Sequence, residues 1–368
     1  MKPNRLYSYA CSGGLLALLA APVLAQGVAP DGGDKTWRAA NDAVGQFRRG
    51  HADVLKWEQA QPMPAAEPQT APAGLVLISN EQVVRLAWRA HPELARTLAR
   101  LGARNEALMA QGQWLDVDSA LARQVEGFEE VVSVAAQARK AWTELIASRQ
   151  VALQMESVAD AADAAEALGA KMVAVGNWSK LQHAQVQLAK FKAQAALKKA
   201  RHAAFTAQAR LIKTLQLTGQ QTHATVPAQL PALPERALSL TEFQQRLAQI
   251  HAQLTRVDAI VGRGRAEQAF AAYQTSFELA RSGEGEVLGA QTLIHEETVL
   301  HYNGMLKSTW ELLATAQNLY QARVDATIAQ RDFELAQIDL QWVLLGGEPD
   351  ALVSWNATAG EAASTAGH

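Results

Sequence analysis

Cysteine is almost missing: the 368-residue chain holds one, Cys11. A single thiol excludes an internal disulfide framework and any zinc site built on cysteines. Aromatic residues are scarce at 6%, although nine of them are Trp. Neither sign of charge dominates. With 34 basic against 36 acidic side chains there is no basic excess of the kind nucleic-acid binding needs. Beyond one stretch near the N-terminus, no run is apolar enough for a membrane helix. What is present is alanine. Within the 49% hydrophobic fraction Ala outnumbers Val, Ile and Phe together, which suits helices packed closely through small side chains. The length fits one large or two ordinary domains.

Lys2 and Arg5 precede the apolar run Leu15-Leu16-Ala17-Leu18-Leu19-Ala20-Ala21, which is followed by Pro22-Val23-Leu24-Ala25. This order of basic, apolar and small residues reads as a secretory signal peptide over residues 1–25, cut after Ala25. The apolar core is too short for an uncleaved anchor. Cys11 precedes the run that a lipid-bearing cysteine would follow. Removing Lys2 and Arg5 leaves 32 basic against 36 acidic residues, a net charge of −4, and no cysteine at all. The expected location is the periplasm, in association with the outer membrane, with no membrane-spanning segment of the mature chain's own.

Residues 26–76 read as an N-terminal amphipathic helix followed by a proline-rich linker. Trp37, Val44, Phe47, Val54, Leu55 and Trp57 share one broad face, and Pro62, Pro64, Pro68 and Pro72 come after. A second break over 220–237 carries Pro227, Pro231 and Pro234, and the tail 348–368 reads as disordered. The rest reads as helix. From Gln185 to Leu217 there is no Gly or Pro. One apolar stripe there runs Leu181, Ala184, Leu188, Phe191, Ala195, His202, Phe205, Ala209 and Ile212. A second runs Leu197, Ala200, Ala204, Ala207 and Leu211 beside it. Two stripes imply neighbours on two sides, as in a bundle or a closed ring of helices. His202 on the first stripe is expected to be a hydrogen-bonded interface residue.

The chain also repeats itself. Ser79 to Ala87 resembles Leu240 to Ala248, with Arg85-Leu86-Ala87 over Arg246-Leu247-Ala248, and Ser79 with Gln82 and Ser239 with Glu242 fit the capping box. Trp178 to Gln185 resembles Trp310 to Gln317. The expected organisation is therefore two tandem helical repeats, 77–219 and 238–347. The fold class is all-α: long antiparallel, coiled-coil-like hairpins with little or no β-structure.

These blocks resemble the TolC-type outer-membrane efflux factor family. The resemblance rests on Val83 to Ala90 followed by His91-Pro92-Glu93-Leu94. It rests also on Gly176-Asn177-Trp178 with Leu181 and Ala184-Gln185, and on Asn303-Gly304 with Leu313, Ala316-Gln317 and Leu345-Gly346-Gly347. It implies a homotrimer forming a helical tube across the periplasm, onto which a periplasmic adaptor and an inner-membrane pump dock. It implies also a β-hairpin in each repeat that closes an outer-membrane barrel. A membrane strand needs about ten residues of alternating character. Around 108–120 at most one short strand fits, with Ser119 as the cap of the next helix, and the gaps 261–265 and 281–286 offer none. The resemblance implies no enzyme activity and no cofactor. The residues leave two readings open: a non-catalytic conduit or collar of an efflux or type I export system, and a soluble periplasmic scaffold or binding protein derived from the same fold.

Candidate repeat-closing or docking positions are Gly176, Asn177, Trp178, Gly304 and Trp310. The cluster of His295, Glu296, Glu297 and His301 puts Glu297 and His301 on one helix face, although the spacing is not that of a zinc helix and suits a surface ion pair. Gly262-Arg263-Gly264-Arg265 is no phosphate loop, since no strand precedes it. Asp116 and Asp118 suit a helix N-terminus.

Overall fold

The computed structural model describes residues 75–252, 256–349 and 351–353. The segments expected as a signal peptide, as a helix over 34–60 and as the linker up to 74, together with the tail from 354, lie outside the described residues. A two-residue strand β1 (Leu75–Val76) pairs in parallel with β2 (Ala224–Thr225). The linker expected to reach residue 76 thus ends in a strand. The helices are α1 (Asn80–Arg89), α2 (Ala95–Gln111), α3 (Leu121–Gln124), α4 (Phe128–Ala174), α5 (Lys180–Thr214), α6 (Leu240–His251), α7 (Arg256–Ser282), α8 (Leu288–Asn303) and α9 (Thr309–Val343). A π-helical turn, Gly283–Val287, joins α7 to α8 into one rod.

Helix propensity explains the long elements: α4 runs for 47 residues, about 70 Å at 1.5 Å per residue. The long helices lie antiparallel in the order α5, α4, α9 and then the α7–α8 rod. Hydrogen bonds fix their levels: Glu144 with Arg210 and Glu156 with Arg201 join α4 to α5, and Gln154 with Thr327 joins α4 to α9. Three apolar clusters fill one end. The first packs α1, α2 and the start of α4 against Ile338 and Trp342 of α9; the second joins α1, α4 and the end of α5; the third joins α6, α7 and α9. Trp88 and Trp142 donate their indole N–H groups to Val131 O and Leu77 O, so burial leaves neither unpaired.

Toward the other end the second layer stops. No residue of α5 before Ala207 is buried, and Thr298 is the one buried residue of α8. Here α4 presents Ala159, Ala162, Ala165 and Gly169 to its neighbours, small residues at three- and four-residue steps that let the helices approach.

Of the segments expected to break the helices, 108–120 and 281–286 do so and 261–265 does not. Residues 108–111 complete α2, Trp114–Asp116 form a 3-10 turn, and 261–265 lie inside α7. Ser119 caps nothing: α3 starts without a side-chain cap, and the Ala120 N–H donates to Asp118 Oδ1 at 2.9 Å. Asp116 reaches toward Arg246 at 3.7 Å instead. In the expected disordered tail, Leu352 and Val353 pack against the third cluster.

The π-helical turn has a simple origin. Ala138, Ala141, Trp142 and Leu145 of α4 match Ala266, Ala269, Phe270 and Tyr273 of α7 in spacing and burial, an offset of 128. Nearer the other end Val175 matches Gly304 and Gly176 matches Met305, an offset of 129. Repeat two thus has one residue more, and a turn of i→i+5 bonding absorbs it.

Candidate functional site

Trp178 and Trp310, expected at corresponding places, lie against each other. Their rings stack with centroids 4.2 Å apart and planes 23° apart. This joins the two hairpin turns, α4 into α5 and α8 into α9, into one tip. Trp178 also packs over Gly169, where a Cβ would come within 3.2 Å of the indole. A larger residue there would make the ring give by a few tenths of an ångström.

The turns share one hydrogen-bond pattern. Val175 N–H donates to Lys171 O, Gly176 to Val173 and Asn177 to Met172; Gly304 donates to Leu300, Met305 to Tyr302 and Leu306 to His301. Gly176 sits at φ 78° and Met305 at φ 60°. The left-handed position of the second turn is therefore Met305, one residue after the expected Gly304, which has φ −79°. Each following helix opens with a complete capping box. Ser179 pairs with Gln182, and Ser308 with Glu311. These serines, not the tryptophans, are the equivalent residues, so matching Trp178 to Trp310 shifts the register by three. The pattern S-x-x-[QE] at 179–182 and 308–311 carries that signal in the sequence.

The tip is apolar at its rim and charged behind it. Met305 is 94% exposed, Leu306 76% and Val175 68%. Behind Trp178, Glu166 accepts from Lys190 at 3.0 Å and bonds His183 at 3.0 Å, and Lys190 lies 3.6 Å from Asp163. Lys190 first, and His183 second, hold the Glu166 carboxyl below its usual range. The Lys307 ammonium and the Ser308 backbone bring Glu311 down to about 2. These groups are solvated and fix the hairpins; none is placed for acid–base work.

The metal-like cluster does not assemble. His295 Nδ1 meets Thr315 Oγ1 at 3.2 Å while Glu297 and His301 are exposed. Among the described residues no three His, Cys, Asp or Glu side chains are grouped to hold a metal ion. His202, expected in an interface, is exposed, as is every member of its stripe from Leu181 to Ala209. The second stripe, through Ala207 and Leu211, is the one that packs on α4.

The buried charges lie at the opposite end, between α4 and α9. Arg139 is buried, donates from Nη1 to Gln341 Oε1 at 3.0 Å and lies over the Trp114 ring at 4.8 Å. Burial lowers its guanidinium to about 10 against the pull of Glu334. Burial likewise raises Glu334 to about 7, countered by Arg139. It also raises Asp339, countered by the Lys140 ammonium that bridges it. The cluster is packed between helices rather than set in a cleft, which marks it as structural. Composition alone did not point to it, because each member reads as a surface charge of a helix.

No family model and no curated protein sequence matches the chain. Among solved structures, a membrane protein from Pseudomonas aeruginosa aligns with a TM-score of 0.48 and 10% identity, covering 72% of this chain and 93% of that one. The Campylobacter jejuni CmeC outer membrane channel aligns with a TM-score of 0.45 and 11% identity, covering 71% of this chain and 67% of that one. CusC, described in terms of transmembrane channel formation, gives 0.44 and 12%, covering 73% of this chain and 92% of that one. At these scores the comparisons assign no family to the chain.

Proposed function

We infer that this chain is a non-catalytic helical conduit or collar of an envelope efflux or type I export system, working in the periplasm beside the outer membrane. One observation carries the reading: the rods lose their second layer toward the tip and leave a long apolar stripe of α5 uncovered. Leu181 is 70% exposed, Phe191 60% and Phe205 65%. A soluble monomer rarely leaves so continuous an apolar strip in water, whereas a wall of several copies buries it. The resemblance of the helix-start and turn motifs to the efflux factor family supports a trimer and supports docking of an adaptor and its inner-membrane pump. The joined apolar tip around Trp178, Trp310, Met305 and Leu306 is the surface such an adaptor would take. Among the described residues no helix is long and apolar enough to cross a membrane.

Envelope fractionation with native mass measurement tests the reading. The expected result is a stable trimer that co-purifies with an adaptor protein. A free monomer in the periplasmic extract at every concentration overturns it and favours the scaffold reading.

A further inference from the structure

Beside the π-helical turn, α7 and α9 leave a cavity of about 370 Å³ between them, a size that suits a small molecule. Leu279 and Val287 form one wall, and Ala322, Ile328 and Ala329 of α9 form the floor. Asp325 and Asp332 also line it, two helical turns apart on one side of α9. Arg323, Thr327 and Gln330 point from the other side of α9 toward Gln229 and Leu230. The cavity therefore opens away from the segment that links the two repeats.

The lining selects the chemistry of a ligand. Ser276 donates to the carbonyls of Ala272 and Tyr273, and Ser282 donates to Glu286, so neither hydroxyl proton is free. No Lys, Arg or His lines the cavity. Asp325 accepts from the Gln321 amide at 2.9 Å and keeps its charge, because that donor is neutral. Asp332 is bridged by Arg331. A sugar would find few donors here, and an anion would face carboxylates. An apolar ring would leave water against Leu279 and Ile328, and a positive charge beside it would face Asp325. Repeat one shows that the rods do not require this arrangement. Ser179 and Ser308 are equivalent caps, and each opens a helix of 35 residues. Asp325 therefore matches Ala196, Ile328 matches Lys199 and Asp332 matches Ala203. The matching stretch of α4 is unbroken α-helix. Both the carboxylates and the π-helical turn are particular to repeat two.

We propose that this cavity binds a small aromatic cation, a quaternary or protonated amine attached to a ring system. The rings lie on Leu279, Ala322 and Ile328, and the positive charge faces the Asp325 carboxylate. The site is complete within one copy, so it goes beyond the conduit reading and does not rest on it. Asp325 is exposed, so added salt screens the charge contact and weakens binding while the apolar contacts persist.

The test titrates the purified protein with a dimethylaminostyryl-N-methylpyridinium dye, which fluoresces when immobilised. Its unmethylated parent, of nearly the same shape, is titrated at a pH where it is uncharged. One cation is expected to bind per chain, about fivefold more tightly than the parent, the upper range for a charge contact this exposed. Asp325→Asn is expected to bring the two affinities within about twofold of each other by weakening the cation alone. Ile328→Trp fills the cavity from its floor and is expected to weaken both ligands by on the order of tenfold. Val287→Trp fills it from the opposite wall with the same expected result, and circular dichroism checks that each variant keeps its helix content. Glu297→Gln, at an exposed carboxylate of α8 away from the cavity, is expected to leave both affinities within about twofold. Equal affinity of the wild type for cation and parent overturns the site, as does binding that both Trp variants leave untouched. A stable oligomer that binds no cation overturns the site and leaves the conduit reading standing. A monomer that binds the cation as expected keeps the site and overturns the conduit.

Discussion

Replacing Glu334 with Gln tests whether the buried charges between α4 and α9 oppose folding as their burial implies. Glu334 is 9% exposed, so solvent screens it little. Its carboxyl titrates at about 7 in the folded protein against an ordinary value of 4.5. Each step of one on the pH scale is worth about 1.36 kcal/mol, so ionising this group within the fold costs about 3 kcal/mol more than in the unfolded chain. Because the folded value is the higher one, the contribution is fully present below about pH 4.5. It is lost progressively as pH rises, and above about pH 7 the loss is complete. The wild type should therefore lose about 3 kcal/mol between pH 4 and pH 8 from this residue alone, a large part of a typical domain's stability. Glu334→Gln removes that component. The assay is urea unfolding of both proteins by circular dichroism at intervals from pH 4 to pH 8.5, comparing slopes rather than single values. The constant effect of Gln beside Arg139 cancels in that comparison. Parallel profiles would refute the reasoning. A wild type that gains stability relative to the variant as pH rises would show that attraction to Arg139 outweighs desolvation.

Other expectations follow from the turns. Met305 holds a left-handed conformation that costs an L-residue roughly 1–2 kcal/mol, so Met305→Gly should stabilise the protein by about 1 kcal/mol in chemical denaturation, and Gly176→Ala should cost about as much. A Cβ at Gly347 would stand 2.0 Å from the Trp342 indole. Gly347→Ala should therefore cost about 1–3 kcal/mol in denaturant melts, with altered Trp fluorescence. Trp178→Ala should remove a near-ultraviolet circular dichroism signal that Trp310→Ala removes as well. Each should cost about 1 kcal/mol from the lost stack beyond area effects. Unequal spectra from the two variants would mean the rings do not stack in solution.

Much of the helical architecture was legible because Ala, Leu, Gln and Lys dominate the rods and because Ser239 with Glu242 announces a helix start. The stripes on α5 were legible as faces but not as interfaces. Periodicity shows which residues share a side, and only packing shows that Leu211 is covered while Phe205 is not. The shift of three at the tip arose from giving large Trp side chains more weight than Ser179 and Ser308, which govern where a helix begins. Gly283 and Gly285 marked 281–286 as a break in the helical pattern, but nothing there announced that the break is a π-helical turn holding one added residue rather than a loop. At the candidate site, Trp178 and Trp310 could be placed at turns by their neighbours in the chain, but their stacking depends on the lateral order of four rods.

The stretch where the second layer ends has a mechanical consequence. A plate one helix thick resists bending far less than the layered end, because stiffness grows steeply with thickness. In an isolated copy the tip should therefore open its amides to exchange and its backbone to proteases well before the layered end does. In the proposed wall, a neighbour along each edge would turn the same plate into part of a curved shell, which resists bending through its curvature. The lone protomer would then be the vulnerable stage in this protein's life, and the rigidity of its wall would be a property it acquires from its neighbours.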